Sequence, residues 1–103
     1  MHDKDFLKEI VSRAGKADEG YFQYAHIIAV SLPKEFKAQL DQLVGGPVFD
    51  GDVIAKSHRD WLLDVGLAVR VCLKGEQGFT GATYLAATVN KTIHEIKSGK
   101  LAP

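Results

Sequence analysis

Lys56–Leu85, KSHRDWLLDVGLAVRVCLKGEQGFTGATYL, is the stretch that decides the fold. Trp61, Leu62 and Val65 recur at helical spacing just after Ser57, a residue that suits a helix start. Ser57 with Asp60 three positions on is a shortened capping box. Asp60 also falls in the first turn, where the helix dipole favours a negative charge. Gly66 is the expected stop, because glycine enters the left-handed conformation without steric cost. From Leu67 to Lys74 the residues alternate. Leu67, Val69, Val71 and Leu73 fall on one side of a strand; Ala68, Arg70, Cys72 and Lys74 fall on the other. Gly75-Glu76-Gln77-Gly78 is the expected turn, its two glycines supplying positive φ. Phe79–Leu85 is the expected partner strand. A helix therefore runs through a glycine into an antiparallel hairpin.

Upstream, Ser31-Leu32-Pro33 is a helix-start signal, and Phe36, Leu40, Leu43 and Val44 repeat at helical spacing behind it. Gly45-Gly46-Pro47 ends that helix. Val48-Phe49 suffices for a short extended piece, and Asp50-Gly51-Asp52 reads as a turn. Val53, Ile54 and Ala55 fit either one helical turn or a small strand. Tyr21–Val30, YFQYAHIIAV, is favoured as a helix over a buried strand, since no turn residue interrupts it and it exceeds common strand length. Asp18 is its expected cap, with Phe22, Ala25, Ile28 and Ala29 inward and His26 a packed, hydrogen-bonded imidazole. The first helix is expected from a cap at Asp3 to about Ala14, with Phe6, Leu7, Ile10, Val11 and Ala14 on its apolar face and Gly15 as its left-handed stop. Lys4, Lys8, Glu9 and Arg13 take the opposite face. Downstream, Val89, Ile93 and Ile96 mark a closing helix over about Ala87–Lys97. His94 is exposed on it, Gly99 ends it, and the tail Lys100–Pro103 is expected to fray.

The fold class expected is α+β: three N-terminal helices, a short connector, a helix leading into a C-terminal β-hairpin, and a closing helix. A chain of 103 residues is one domain. Its expected divisions are N-terminal helices at 1–32, a core at 33–85, and the closing helix and tail at 86–103. Lysine plus arginine equals aspartate plus glutamate at 13 each, so the strongly basic field of a non-specific nucleic-acid binder is absent. Cys72 is the single cysteine, which excludes an internal disulfide and fits a reducing compartment. Neither a signal-type apolar run nor a membrane-length one occurs, so a soluble cytoplasmic protein without a membrane partner is expected.

The order of helix, Gly66-Leu67, alternating strand, turn and a second strand ending in Thr83-Tyr84-Leu85 resembles the C-terminal half of a winged helix-turn-helix domain. The resemblance covers about Pro33 to Tyr84. It implies that Pro33–Val44 is the first helix, the helix before Gly66 the recognition helix, and the hairpin the wing. The interval from Gly46 to Gly66 is shorter than the family commonly uses, so the first helix of its helical pair would shrink to about one turn around Asp52–Ala55. The wider pattern FDGDVIAKSHRDWLLDVGLAVRV also resembles small bacterial and phage proteins with no established activity.

If the resemblance extends to function, the side chains that would meet DNA or RNA are Lys56, Ser57, His58 and Arg59 at the recognition-helix start, with Arg70 and Lys74 on the wing. Helix N-termini with nearby cations suit phosphate oxygens, and arginine suits guanine in the major groove. Lys91 adds a cation on the last helix. Asp50, Asp52, Asp60 and Asp64 surround the same segment and oppose phosphate. Gly75–Gly78 also matches the GxxG string of a KH domain, but strands rather than helices flank it.

No catalytic role is expected. Cys72 sits mid-strand, partly buried and with no activating partner in sequence. Asp50-Gly51-Asp52 lacks the calcium-loop pattern, so no metal or cofactor is expected. Nucleophile-elbow, phosphate-loop and zinc-protease strings are absent. The expected function is a small non-catalytic nucleic-acid-binding or regulatory module. The alternative is a protein-interaction adaptor, or a homodimer formed through the apolar N-terminal helices around Tyr21 and Tyr24.

Overall fold

The computed structural model describes residues 4–17 and 20–103. The expected caps at Asp3 and Asp18 lie outside them. The order is α1 (Lys4–Lys16), α2 (Tyr21–Ser31), α3 (Lys34–Val44), β1 (Val48–Phe49), a 3-10 turn (Asp50–Asp52), α4 (Lys56–Val65), β2 (Ala68–Leu73), β3 (Glu76–Ala82) and α5 (Tyr84–Lys97). The strands form one antiparallel sheet in the order β1-β3-β2. The expected α+β class, helices followed by a hairpin and a closing helix, is the observed one.

The helices exist because each has an apolar stripe to bury. Leu7 of α1, Ile28 of α2, Leu40 and Leu43 of α3, Leu62 of α4 and Val89 of α5 are all withdrawn from solvent in one core, joined by Leu67. Gly66 ends α4 in the left-handed region at φ 93°. A Cβ there would also stand 3.1 Å from Val11 Cγ1, so the same glycine lets α1 approach the α4–β2 junction. Trp61 lies inside α4 and stacks on Phe36 of α3, with ring centroids 4.0 Å apart and planes 8° from parallel.

The hairpin is tighter than the sequence led us to expect. Leu73 opposes Glu76, so Lys74 and Gly75 alone make the reversal, with φ of 53° and 79°. Two left-handed residues define a type I′ turn, whose twist matches that of its flanking strands. Gln77 and Gly78, expected in the turn, belong to β3. The returning strand stops at Ala82 rather than Leu85, because the Thr83 hydroxyl accepts the Ala86 amide proton at 3.0 Å and caps α5. Tyr84 and Leu85 are thus helical, and α5 begins one turn earlier than expected.

Other local signals resolve differently too. Gly15 does not stop α1; it is helical, and the Ala17 amide bonded to the Ala14 carbonyl closes the end. Phe22 is not inward. It lies in the first turn of α2, 76% exposed, its ring edge-on to Tyr21. Ser31 ends α2 instead of capping α3, which Pro33 precedes without a side-chain cap. The Ser57 capping box does not form either. Helix α4 already starts at Lys56 behind Ala55, whose amide donates to the buried Gln39 Oε1 at 3.0 Å. Val53–Ala55 is neither a helical turn nor a strand; the turn occurs earlier, at Asp50–Asp52. The tail folds back rather than fraying. The Lys100 and Leu101 amides meet the Glu95 carbonyl, and His26 Nε2 donates to the Ala102 carbonyl at 2.9 Å.

Candidate functional site

The site begins with two glutamines of α3. Gln39 is fully buried and Gln42 sits one turn on. Gln39 Nε2 donates to Gln42 Oε1 at 2.7 Å. Gln42 then accepts from the Ile54 amide at 3.1 Å and donates to the Asp52 carbonyl at 2.8 Å. Together with the Ala55 contact, these bonds satisfy the connector that runs from the 3-10 turn at Asp50–Asp52 through the irregular Val53–Ala55. The connector in turn presents Asp50 toward α4 and the hairpin.

Asp50 is where two of the expected phosphate-binding cations converge. Arg70 spans its carboxylate, Nη1 to Oδ1 at 2.7 Å and Nη2 to Oδ2 at 2.8 Å. Arg59 Nη1 reaches the same Oδ1 at 3.0 Å, while its Nε and Nη2 hold Asp60 Oδ1 at 2.9 and 2.8 Å. Arg70 Nη1 also donates to Thr80 Oγ1 at 2.9 Å. The Arg70 hydrogen bonds hold the Asp50 carboxyl below the ordinary carboxylate range, with the charges of both arginines adding to this. Asp50 in turn raises the Arg70 pKa. The Arg59 side chain is only 12% exposed, so its fork is spent inside this cluster.

The other expected contacts lie apart from that cluster. Lys56 and Ser57 are exposed on the first turn of α4, and Lys74 is exposed at the hairpin tip. Neither lysine forms an ion pair among the described residues. His58 is half-buried, its ring edge-on to Phe36 at 5.1 Å, and its Nδ1 is buried without a hydrogen-bond partner among the described residues. Asp60 and Asp64 stay on the outer side of α4. Lys4 and Lys8 of α1 reach across to Asp64, whose pKa is lowered chiefly by its hydrogen bond from Lys4. Thus α1 and two carboxylates occupy the flank of the helix expected to read a groove.

The hairpin also faces the opposite way from a simple amphipathic reading. Arg70 opposes Thr80, Ala68 opposes Ala82, and Val48 opposes Thr80. Thr80 is fully buried, Ala68 is 4% exposed, and Val48 packs on the core, so this is the helix-covered face. Val69, Val71, Phe79 and Phe49 therefore point outward. Val69 is 43% and Phe49 48% exposed, and Phe49 meets Phe79 edge-on at 5.5 Å. Gly81 lies between Val71 and Pro47 on that side. Cys72 is exposed rather than partly buried. The solvent side of the sheet is thus apolar, while the polar side chain of β2, Arg70, turns toward Asp50.

Among the described residues no helix is long and apolar enough to cross a membrane. Sequence reasoning missed Gln39 and Gln42. The available signal was a glutamine sharing the helical face of Phe36, Leu40 and Leu43, a position that water does not reach. No protein-family model matches the chain, and neither a curated protein nor a solved structure is significantly similar to it.

Proposed function

We propose that this chain is a small non-catalytic module of winged-helix type that serves as a protein-interaction adaptor. Its partner is a protein segment with an apolar surface, taken on the outward side of the wing. The observation that carries this reading is the polarity of the sheet. On the side away from the helices Val69 and Phe49 are exposed and Val71 and Phe79 half-buried, while Arg59 and Arg70 are paired with Asp50 and Asp60. Contiguous exposed apolar surface on a small domain marks an interaction site more often than chance exposure does.

The test uses a photo-crosslinking residue in place of Val69, with one in place of the exposed Ser12 of α1 as control. A protein captured only at position 69 is identified by mass and then titrated as purified material. Val71→Glu should weaken its affinity by about tenfold or more, because the substitution buries a charge in an apolar contact, while leaving the thermal midpoint of the free chain nearly unchanged. Equal capture at both positions, or affinity untouched by Val71→Glu, rejects the reading.

A second reading, nucleic-acid binding, is supported by the strand order β1-β3-β2 behind α3, β1 and α4, and by the exposed Lys56, Ser57 and Lys74. It requires duplex affinity that falls by roughly 0.9 log units per decade of salt for each phosphate neutralised. It also requires that charge reversal at the exposed Lys56 and Lys74 abolish binding. A low-salt gel shift with mixed duplex and single-stranded DNA separates the two.

A further inference from the structure

A groove of about 680 Å³ lies between α2, α3 and α5, with no residue of the hairpin in its lining. Its volume falls within the roughly 300–1,000 Å³ typical of small-ligand pockets. Ala29 and Val30 of α2, Ala38 of α3, and Ile93 and Ile96 of α5 give it an apolar lining. Lys34 and Lys37 of α3 and Lys97 of α5 stand around that lining. None of the three lysines forms an ion pair among the described residues. Asp41 also lines the groove and is engaged by His94 Nε2 at 2.9 Å and Asn90 Nδ2 at 3.1 Å, and Pro103 of the tail completes the lining. The groove therefore combines an apolar body with three lysines that form no close ion pair among the described residues, of which Lys97 already adds its charge to the field on Asp41, in a chain whose formal net charge is zero.

We infer that this groove binds a free amphipathic organic anion, an apolar chain or ring system carrying one carboxylate or phosphate head. The apolar body displaces water from Val30, Ala38, Ile93 and Ile96. The head accepts charge-assisted hydrogen bonds from Lys37 and Lys97, with Lys34 at the first turn of α3 adding a positive helix terminus to the same side. A neutral amphiphile of the same length would satisfy the lining but gain no charge-assisted hydrogen bond from the ammonium groups. The site is therefore selective for charge more than for chain identity. It shares no side chain with the wing, so this inference stands or falls independently of the adaptor reading.

Calorimetric titration of the full chain with decanoate, decyl phosphate and decanol tests it. The expected result is one saturable site for both anions and binding about tenfold or more weaker for decanol, since the alcohol lacks the charge-assisted bonds. Lys37→Glu with Lys97→Glu should cost a similar factor. Ala38→Trp should block the site by filling it, with the circular-dichroism spectrum of both variants unchanged. Val69→Glu, on the wing, should leave decanoate binding as it was. No saturation with either anion, equal binding of decanol, indifference to the lysine reversals, or loss on Val69→Glu would each overturn the assignment.

Discussion

Arg70 grips Asp50 across twenty positions of sequence through paired hydrogen bonds, Nη1 to Oδ1 at 2.7 Å and Nη2 to Oδ2 at 2.8 Å. Planar, two-point contacts of this kind are the strongest arginine makes with a carboxylate. This one ties the connector after β1 to the middle of β2. Because the Asp50 pKa is lowered on folding, the pair contributes stability that is fully present above the ordinary value of 3.8 and is lost as pH falls through the folded value. Asp50→Asn should therefore lower the denaturant midpoint at neutral pH and flatten its fall in acid. Arg70→Gln added to Asp50→Asn should cost little more than Asp50→Asn alone. Asp41 and Asp64, also lowered, retain part of the acid slope in the variant. Additive losses from the two substitutions would show that the pair is not coupled.

Two glycines of the helical part should respond in opposite senses to alanine. Gly66 sits at φ 93° with Val11 Cγ1 3.1 Å from where a Cβ would be, so Gly66→Ala should destabilise by roughly 1–2 kcal/mol or more. Gly15 is helical with nothing within 4 Å of an added Cβ, so Gly15→Ala should stabilise by about 0.5–1 kcal/mol. Urea unfolding of both variants measures the contrast.

Gln39→Leu preserves bulk at a fully buried position but removes the acceptor of the Ala55 amide and the donor to Gln42. Leaving a buried polar group unsatisfied costs about 1–3 kcal/mol, so the variant should lose stability by that order despite the gain in hydrophobicity. Faster hydrogen exchange at Ile54 and Ala55 than in the parent would locate the loss in the connector.

Lys74 occupies the first left-handed position of the hairpin turn, φ 53°, where asparagine is better suited. Lys74→Asn should stabilise the chain by a few tenths of a kcal/mol to about 1 kcal/mol. It also removes one of the exposed cations, so the same variant reports on duplex binding. Unchanged duplex affinity would exclude the hairpin tip from any phosphate contact.

Much of the frame was legible because its signals are local. Gly66 after Trp61, Leu62 and Val65 marks a helix end wherever it occurs, and the alternation from Leu67 to Lys74 marks a strand. The facing of that strand was not legible. Alternation does not say which side meets the helices, and it also misplaces Leu67, which precedes β2 and is buried in the core instead of sharing the exposed side of Val69. Here Ala68 and Thr80 are buried under the helices, Arg70 of the same side reaches Asp50, twenty residues away, and Val69 is left outside. Thr83 misleads for a similar reason. Threonine suits a strand by its branching and a helix start by its hydroxyl, and the hydrogen bond to the Ala86 amide decides for the helix. Of the expected nucleic-acid contacts, the structure gathers Arg59 and Arg70 on one carboxylate and leaves Lys56 and Lys74 in solvent. An internal ion pair between distant positions has no signature in spacing.

The sheet order has a kinetic consequence. Its middle strand, β3, is the last of the three in the chain, and Phe49 meets its partner Phe79 only thirty residues later. On the ribosome, β1 therefore emerges with no neighbour to bond. The hairpin must close first, through its own short loop, and only then can β1 be captured to complete the layer. Translation halted just before Glu76 should leave α1 to α4 able to collapse together while Val48 and Phe49 stay unpaired. A strand that short has little to hold it until its template is made.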